Sequence, residues 1–186
     1  MTRLWDKETP LDKHILNFTA GDDHRLDTRL VKYDVLASIA HVQMLTEKRL
    51  LSLKDCEVIC DGLTALGEQH ARGEWSISLE EEDAHGALES RLVDRIGPTG
   101  GRMHLGRSRN DQVLVALRLY LKDTAEVLQA GAEVVASALD ALVERQGEIP
   151  LPGYTHMQPA MPSSVSLWAG GFAAELRDDA YGLGAA

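Results

Sequence analysis

Two short segments concentrate the side chains able to do polar chemistry. Arg102–Gln112 holds one His, three Arg, a Ser, an Asn, an Asp and a Gln within eleven residues. Arginine forks bind carboxylates bidentately. Amide N–H groups at a helix start attract anions as well. The chemistry predicted is carboxylate or phosphate binding; the plain alternative is a solvated loop that caps a helix. The glycine spacing fits neither a Walker nor a dinucleotide fingerprint. The second segment, Gly153–Pro162, places Thr155, His156 and Gln158 between prolines. A hydroxyl, an imidazole and an amide can hold a carboxylate while the imidazole moves a proton. A third set, Glu82, Asp83, His85 and Glu89, falls on a helical pattern, where His85 and Glu89 are spaced to pair on one face. That pairing is favoured over a metal site. No Ser/His/Asp order suggests a hydrolase.

The elements that must position these groups read as helices. Leu26, Leu30, Tyr33, Leu36, Ala37, Ala40, Met44 and Leu45 recur at helical spacing, predicting a helix over 26–51. Ser52 caps a second, which stops at Gly73 after Arg72. Ser78 and Glu81 form a capping box, predicted to open a third helix through Ala84, Leu88, Leu92 and Ile96. Gly97–Gly106, with four glycines and a proline, is expected to hold no regular element. From Asn110, the positions Leu114, Leu117, Leu121, Thr124, Leu128, Gly131, Val135, Ala138 and Leu142 form a heptad seam. The helix it predicts is roughly 50 Å long and needs long neighbours in a bundle. Residues 147–162 are expected to be a loop. A last helix from Ser163 is expected to bury Val165, Trp168, Phe172, Leu176 and Ala180. No strand alternation stands out. The class is all-α: an N-terminal helical domain over 1–109, then the first long helices of a central bundle over 110–186.

Composition narrows the partners. A formal net charge of −10 over 186 residues argues against a general nucleic-acid binder. No apolar run approaches the ~20 residues of a membrane span. Met1–Pro10 has no apolar core of a secretory signal. Two cysteines, Cys56 and Cys60, complete no zinc site. They fit a reduced, cytoplasmic protein.

These residues carry a resemblance. Gly106–Gln112 (Gly-Arg-Ser-Arg-Asn-Asp-Gln) and Gly153–Pro162 (Gly-Tyr-Thr-His-Met-Gln-Pro-Ala-Met-Pro) resemble two signatures of the argininosuccinate lyases, of the fumarase/aspartase superfamily. Glu82-Asp83-Ala84-His85 with Glu89, Trp5, and the region Phe18–Leu45 are similar to the same family. The first signature separates this family from fumarases and adenylosuccinate lyases. The resemblance implies reversible elimination of argininosuccinate to arginine and fumarate, with no redox cofactor and no metal. It implies a homotetramer whose sites are assembled from three subunits. It also implies that Ser108, Arg109 and Asn110 bind carboxylates, with Thr155 and Gln158 assisting. His156 is then the acid/base group or its orienter, and His104 lines the same site. Asp23 lies near a substrate-contacting Ser of many members, and Asp27 matches an Asp. Leu105 departs from the Thr usual after the His. The family's third signature, a mobile Gly-Ser-Ser-x-Met-Pro-x-Lys-x-Asn loop with a catalytic Ser, is not in this sequence, nor is its C-terminal domain. The chain is therefore expected to carry an incomplete site. Two rival expectations are an inactive oligomerising subunit of delta-crystallin type and another lyase of the superfamily.

Overall fold

The computed structural model describes residues 12–185. Readings that fall on residues 1–11, Trp5 among them, lie outside the described residues. Among the described residues the chain is all-α apart from one hairpin. Its helices are α1 (Lys13–Ala20), α2 (Asp23–Leu26), α3 (Val31–Glu47), α4 (Leu53–Ala71), α5 (Ala84–Ile96), α6 (Arg109–Gln146) and α7 (Val165–Ala185). Strands β1 (Pro150–Thr155) and β2 (Gln158–Ser164) pair antiparallel between α6 and α7. The chain divides into two compact units, Met1–Tyr120 and Leu121–Ala186.

The first unit packs α3, α4 and α5 around one core. Val31, Val35, Val42 and Leu45 from α3 meet Ile59, Leu63 and Leu66 from α4 and Ala84, Ala87, Leu88 and Leu92 from α5. Each fully buried Val, Leu or Ile contributes about 1.5–3 kcal/mol of hydrophobic stabilisation. Gly62 lets α4 approach α5, because a Cβ there would stand 2.6 Å from Leu92 Cδ1. The helix boundaries follow local chemistry. Ser52 Oγ accepts the Asp55 N–H at the start of α4. Gly73 and Gly97 take φ of +74° and +76° just beyond α4 and α5, a conformation that favours glycine.

Three expectations are corrected in this unit. The buried face of α3 is rotated from the apolar set read in sequence: Leu36 and Met44 are exposed, while Asp34 and Ser38 are buried. The Ser78–Glu81 capping box forms, but it caps only the 3-10 turn Leu79–Glu81. Glu82 then takes φ +68° and turns the chain, so Asp83 caps α5 instead, accepting the Gly86 N–H at 2.7 Å. Gly97–His104 is a 3-10 stretch rather than an irregular loop. Its Gly100 lies against the end of α5, where a Cβ would meet the Val93 and Leu92 backbone at 2.9–3.0 Å.

The second unit contains most of α6, the hairpin and α7. At 1.5 Å per residue the 38 residues of α6 extend about 57 Å. Residues 147–162 are not a loop: Thr155 pairs with Gln158 across the turn, with a register shift at Gly153 between Pro152 and Tyr154. Prolines cannot donate to a ladder and so argue against strands, which is why the segment reads as a loop in sequence. Arg177 of α7 sits between Glu133 and Asp140 of α6. The buried positions of α7 are Val165, Ala169, Ala173 and Ala180. Trp168 and Phe172 are exposed, contrary to expectation, and stack edge to face at 5.6 Å. Small residues form the inner stripe because they let two helices approach closely. The larger apolar groups face outward, as do Leu121, Val127, Leu128, Val134 and Val135 of α6. No helix among the described residues is long and apolar enough to cross a membrane.

Candidate active site

The predicted site residues fall into two sets, one in each unit. In the first, Ser108 is the residue before α6 and caps it reciprocally. Its Oγ accepts the Asn110 N–H at 3.1 Å, and its own N–H donates to Asp111 Oδ2 at 2.9 Å. The capping role fixes the Ser108 oxygen while leaving its hydroxyl proton able to donate outward. Arg109 and Asn110 occupy the first turn, and all three residues are exposed. Arg109 Nη1 donates to Asp83 Oδ2 at 2.8 Å. The same aspartate therefore caps α5 and aims the guanidinium. Amide N–H groups of the first α6 turn, the Ser108 hydroxyl and the Arg109 fork are donors of the kind that can bind an anion.

His104 is half-buried beside this turn. Burial is the main influence lowering its pKa; Glu89 raises it, and the nearby Arg107 and Arg109 cations lower it. The imidazole is thus held toward its neutral form in a cationic neighbourhood. Leu105, the departure from the family pattern, is exposed. Its carbonyl accepts from His41 Nε2 at 2.9 Å, so the backbone here is fixed by α3.

Beneath the turn lies a buried polar network that sequence reasoning did not find. Asp34 is fully buried in α3. Its Oδ2 accepts from His85 Nδ1 at 2.7 Å. Gln112 Nε2 donates to both its oxygens at 2.8 and 2.9 Å. Ser38 Oγ donates to Oδ1 at 3.2 Å and accepts from Arg107 Nη2 at 3.1 Å. A carboxylate only accepts, so His85 presents a protonated Nδ1 to it. His85 therefore pairs with Asp34 on another helix and not with Glu89, as expected from helical spacing. Among the described residues no group of three or more His, Cys, Asp or Glu could hold a metal ion. Gln112 and Arg107, grouped by sequence with the ligand-facing residues, instead point inward. The one signal available was a charged residue and a serine four apart on the stripe Val31-x-x-Asp34-Val35-x-x-Ser38.

Two acidic residues near α2 have distinct places. Asp23 is exposed in the first turn of α2. Asp27 Oδ2 accepts the Ala84 N–H at the start of α5 at 3.3 Å. Burial pushes the Asp27 carboxyl pKa up, and the Ala84 hydrogen bond opposes it.

The second set sits on the hairpin. Thr155 and Gln158 are paired across the turn, and His156 and Met157 form its tip. Both tip residues have positive φ, +49° and +63°. Tight hairpin turns of this kind favour Asn and Gly, so a His and a Met there are strained by about 1 kcal/mol or more each. Thr155, His156 and Gln158 are all exposed. The tight turn thus leaves the His156 imidazole exposed at the hairpin tip.

The chain combines a fold of long helices with a donor-rich turn at the start of α6 and an exposed histidine at the hairpin tip, and comparison with known proteins places it in a family. The family model for lyases matches residues 7–184, and this chain belongs to that family, within the fumarase/aspartase superfamily. Its relatives include the argininosuccinate lyase of Sorangium cellulosum, 46% identical over 95% of this chain and 41% of that protein. That of Thermotoga neapolitana is 40% identical over 95% of this chain and 44% of its own length. The chain thus spans about two fifths of the length of these relatives. Among solved structures, fumarate lyase:delta crystallin from Brucella melitensis superposes with a TM-score of 0.70 at 18% identity, covering 90% of this chain and 43% of that one. EDDS lyase in complex with formate superposes with a TM-score of 0.69 at 22% identity, covering 94% and 35%. These two likenesses show the fold alone.

Proposed function

We propose that this chain carries part of the site of an argininosuccinate lyase, which reversibly eliminates argininosuccinate to arginine and fumarate. The observation that carries the reading is the anion-binding turn at the start of α6, where the Ser108 cap, the Asp83-held Arg109 and exposed Asn110 converge. The elimination removes a proton from the carbon beside a succinyl carboxylate. The electrons of that C–H bond form the fumarate double bond, and the C–N bond to the guanidino nitrogen breaks. That nitrogen leaves as neutral or protonated arginine. The carbanionic intermediate places extra charge on the carboxylate, so donors fixed in advance lower the barrier. Ser108, Arg109 and Asn110 supply them, assisted by Thr155 and Gln158. His156 moves the proton or orients the group that does, and His104 lines the carboxylate side as a neutral donor. The reading needs no cofactor and no metal.

The exposed apolar seam of α6 and the exposed Trp168 and Phe172 of α7 support further bundle partners, in a homotetramer like that the family implies. Residues 1–109 are then the N-terminal helical domain and 110–186 the beginning of the central bundle. Neither a nucleic acid nor a membrane is a partner in this reading, and free Cys56 and Cys60 suit a reducing cytoplasm. A purely oligomerising, inactive subunit is favoured by the same seam. Another lyase acting on an amino-acid adduct is favoured by Leu105.

Substrate profiling separates the three. The chain is mixed with the C-terminal portion of an argininosuccinate lyase and offered argininosuccinate and other N-substituted aspartates. Fumarate released from argininosuccinate alone is the expected result. Release from another adduct only, or a folded assembly that neither binds nor turns over argininosuccinate, would overturn the reading.

A further inference from the structure

We propose that Asp34 is a positioning residue for the anion-binding turn: a buried carboxylate that ties α3 and α5 to the residues flanking Ser108 and so fixes where Ser108, Arg109 and Asn110 present their donors. The inference rests on the reading of that turn as the carboxylate site. Asp34 sits two helices away from the turn in sequence and is fully buried, so it touches no ligand. Its two oxygens nevertheless connect to both sides of the turn, directly to Gln112 and through Ser38 to Arg107. Gln112 Nε2 lies four residues after Ser108 and donates to Oδ1 and Oδ2 at 2.8 and 2.9 Å. On the other side, Arg107 is linked through Ser38 Oγ. Ser108 thus stands between two anchored neighbours, Arg107 and Gln112. The third donor, His85 Nδ1, fixes the position of α5 against the same carboxylate at 2.7 Å. α5 is capped by Asp83 Oδ1, and the other oxygen of Asp83 holds Arg109. One buried carboxylate therefore sets both the backbone of the turn and, through α5, the anchor of its guanidinium.

Charge explains why a carboxylate stands here. Arg107 is half-buried, and burial drives its pKa down while Asp34, Asp111 and Glu89 oppose this. A buried cation without a nearby anion is costly. A carboxylate in the network offsets that cost, and a neutral side chain of the same shape does not. His85 Nε2, Arg107 Nε and Gln112 Oε1 are buried without a hydrogen-bond partner. Each belongs to a side chain that has another polar atom bonded in this network.

The test is amide hydrogen exchange, read by nuclear magnetic resonance on the chain and on Asp34→Asn. The reporting amides are those bonded within the turn: Arg107 to His104 O, Ser108 to Asp111, Asn110 to Ser108 Oγ. Exchange at these positions is expected to rise at least about tenfold, the change one hydrogen bond to a charged group corresponds to. Core amides of Leu63 and Leu66 should keep their rates. The His85 Nδ1 resonance should shift with them. Ser38→Ala, which removes only the relay to Arg107, should accelerate Arg107 and Ser108 and leave His85 unmoved. It decides the matter alone if Asp34→Asn does not fold. Unchanged exchange at 107–110 in a folded variant would overturn the proposal, as would equal acceleration throughout α3, α4 and α5. A parallel fumarate titration separates the two readings. Failure of fumarate to shift the Ser108–Asn110 amides in the unsubstituted chain sinks the site assignment but leaves the exchange result to judge Asp34.

Discussion

Asp83 does two jobs that substitution can separate. Its Oδ1 caps α5 through the Gly86 N–H at 2.7 Å, and its Oδ2 holds Arg109 at 2.8 Å. The Asp83 side chain is 20% exposed and that of Arg109 43%. Losing an N-cap costs about 1 kcal/mol. A pair this exposed adds at most about 1 kcal/mol once solvent screening is allowed for. Asp83→Ala loses both and should destabilise the chain by about 1–2 kcal/mol. Asp83→Asn keeps the cap, because asparagine caps as well as aspartate, and should cost less than about 1 kcal/mol. In a chain of this size those losses correspond to roughly 2–4 °C in Tm per kcal/mol. Urea unfolding gives the free energies, and repeating it in high salt should remove most of the gap between Asn and the unsubstituted protein. Both variants release Arg109, so fumarate affinity should fall about three- to tenfold in each, the effect of a pair worth about 1 kcal/mol. Two results would refute the reasoning. Equal destabilisation by Asn and Ala would mean that the cap is not the stabilising element. Unchanged fumarate affinity in both would mean that Asp83 does not aim Arg109.

Other expectations follow from single positions. Met157→Gly relieves a positive φ at the hairpin tip and should stabilise the hairpin by about 1 kcal/mol, seen as slower amide exchange in β1 and β2. Gly153→Ala drives a Cβ into the Met161 carbonyl oxygen; the hairpin cross-strand signals should vanish. Leu88→Ala empties a fully buried position between α3, α4 and α5 and should cost about 2–5 kcal/mol in urea unfolding. His104 has its pKa lowered in the folded state from the ordinary 6.5, first by burial. The unfolded chain therefore binds its proton at higher pH than the folded chain does. Stability is full above pH about 6.5 and falls as pH drops below that value toward the folded pKa. Unfolding curves from pH 7.5 to 5 should show this fall, and His104→Gln should reduce it. His70, lowered by burial and by Arg91, accounts for part of what remains.

Helical periodicity made most of the fold legible. Gly73, Gly97, Ser52 and the seam from Leu114 to Leu142 locate α4, α5 and α6 within a few residues, because caps and stops are local chemistry. What escaped depends on tertiary context. The burial of Asp34 requires donors from Gln112 and His85, 78 and 51 residues away, and no local pattern announces such a partner. Periodicity placed Trp168 and Phe172 on the inner face of α7, but alanines occupy that face since close helix approach excludes large side chains. Prolines concealed the hairpin for the reason that they remove ladder donors. Of the site, the Ser108–Asn110 turn and the Thr155–Gln158 segment were readable as motifs. The inward roles of Arg107 and Gln112 were not, for a polar residue in a polar loop gives no sign of the direction it faces.

The central claim is that Arg109 and His156 act in one elimination. It is tested most directly by fumarate absorbance during turnover of argininosuccinate, with the C-terminal portion of an argininosuccinate lyase supplied. Unsubstituted chain should release fumarate in that mixture. His156→Ala should lower kcat by about 10²-fold or more with little change in KM, as loss of a proton-transfer group does. Arg109→Ala should lower kcat/KM chiefly through KM. Fumarate release at an unchanged rate from the His156→Ala mixture, with both pieces folded and assembled, would contradict the account.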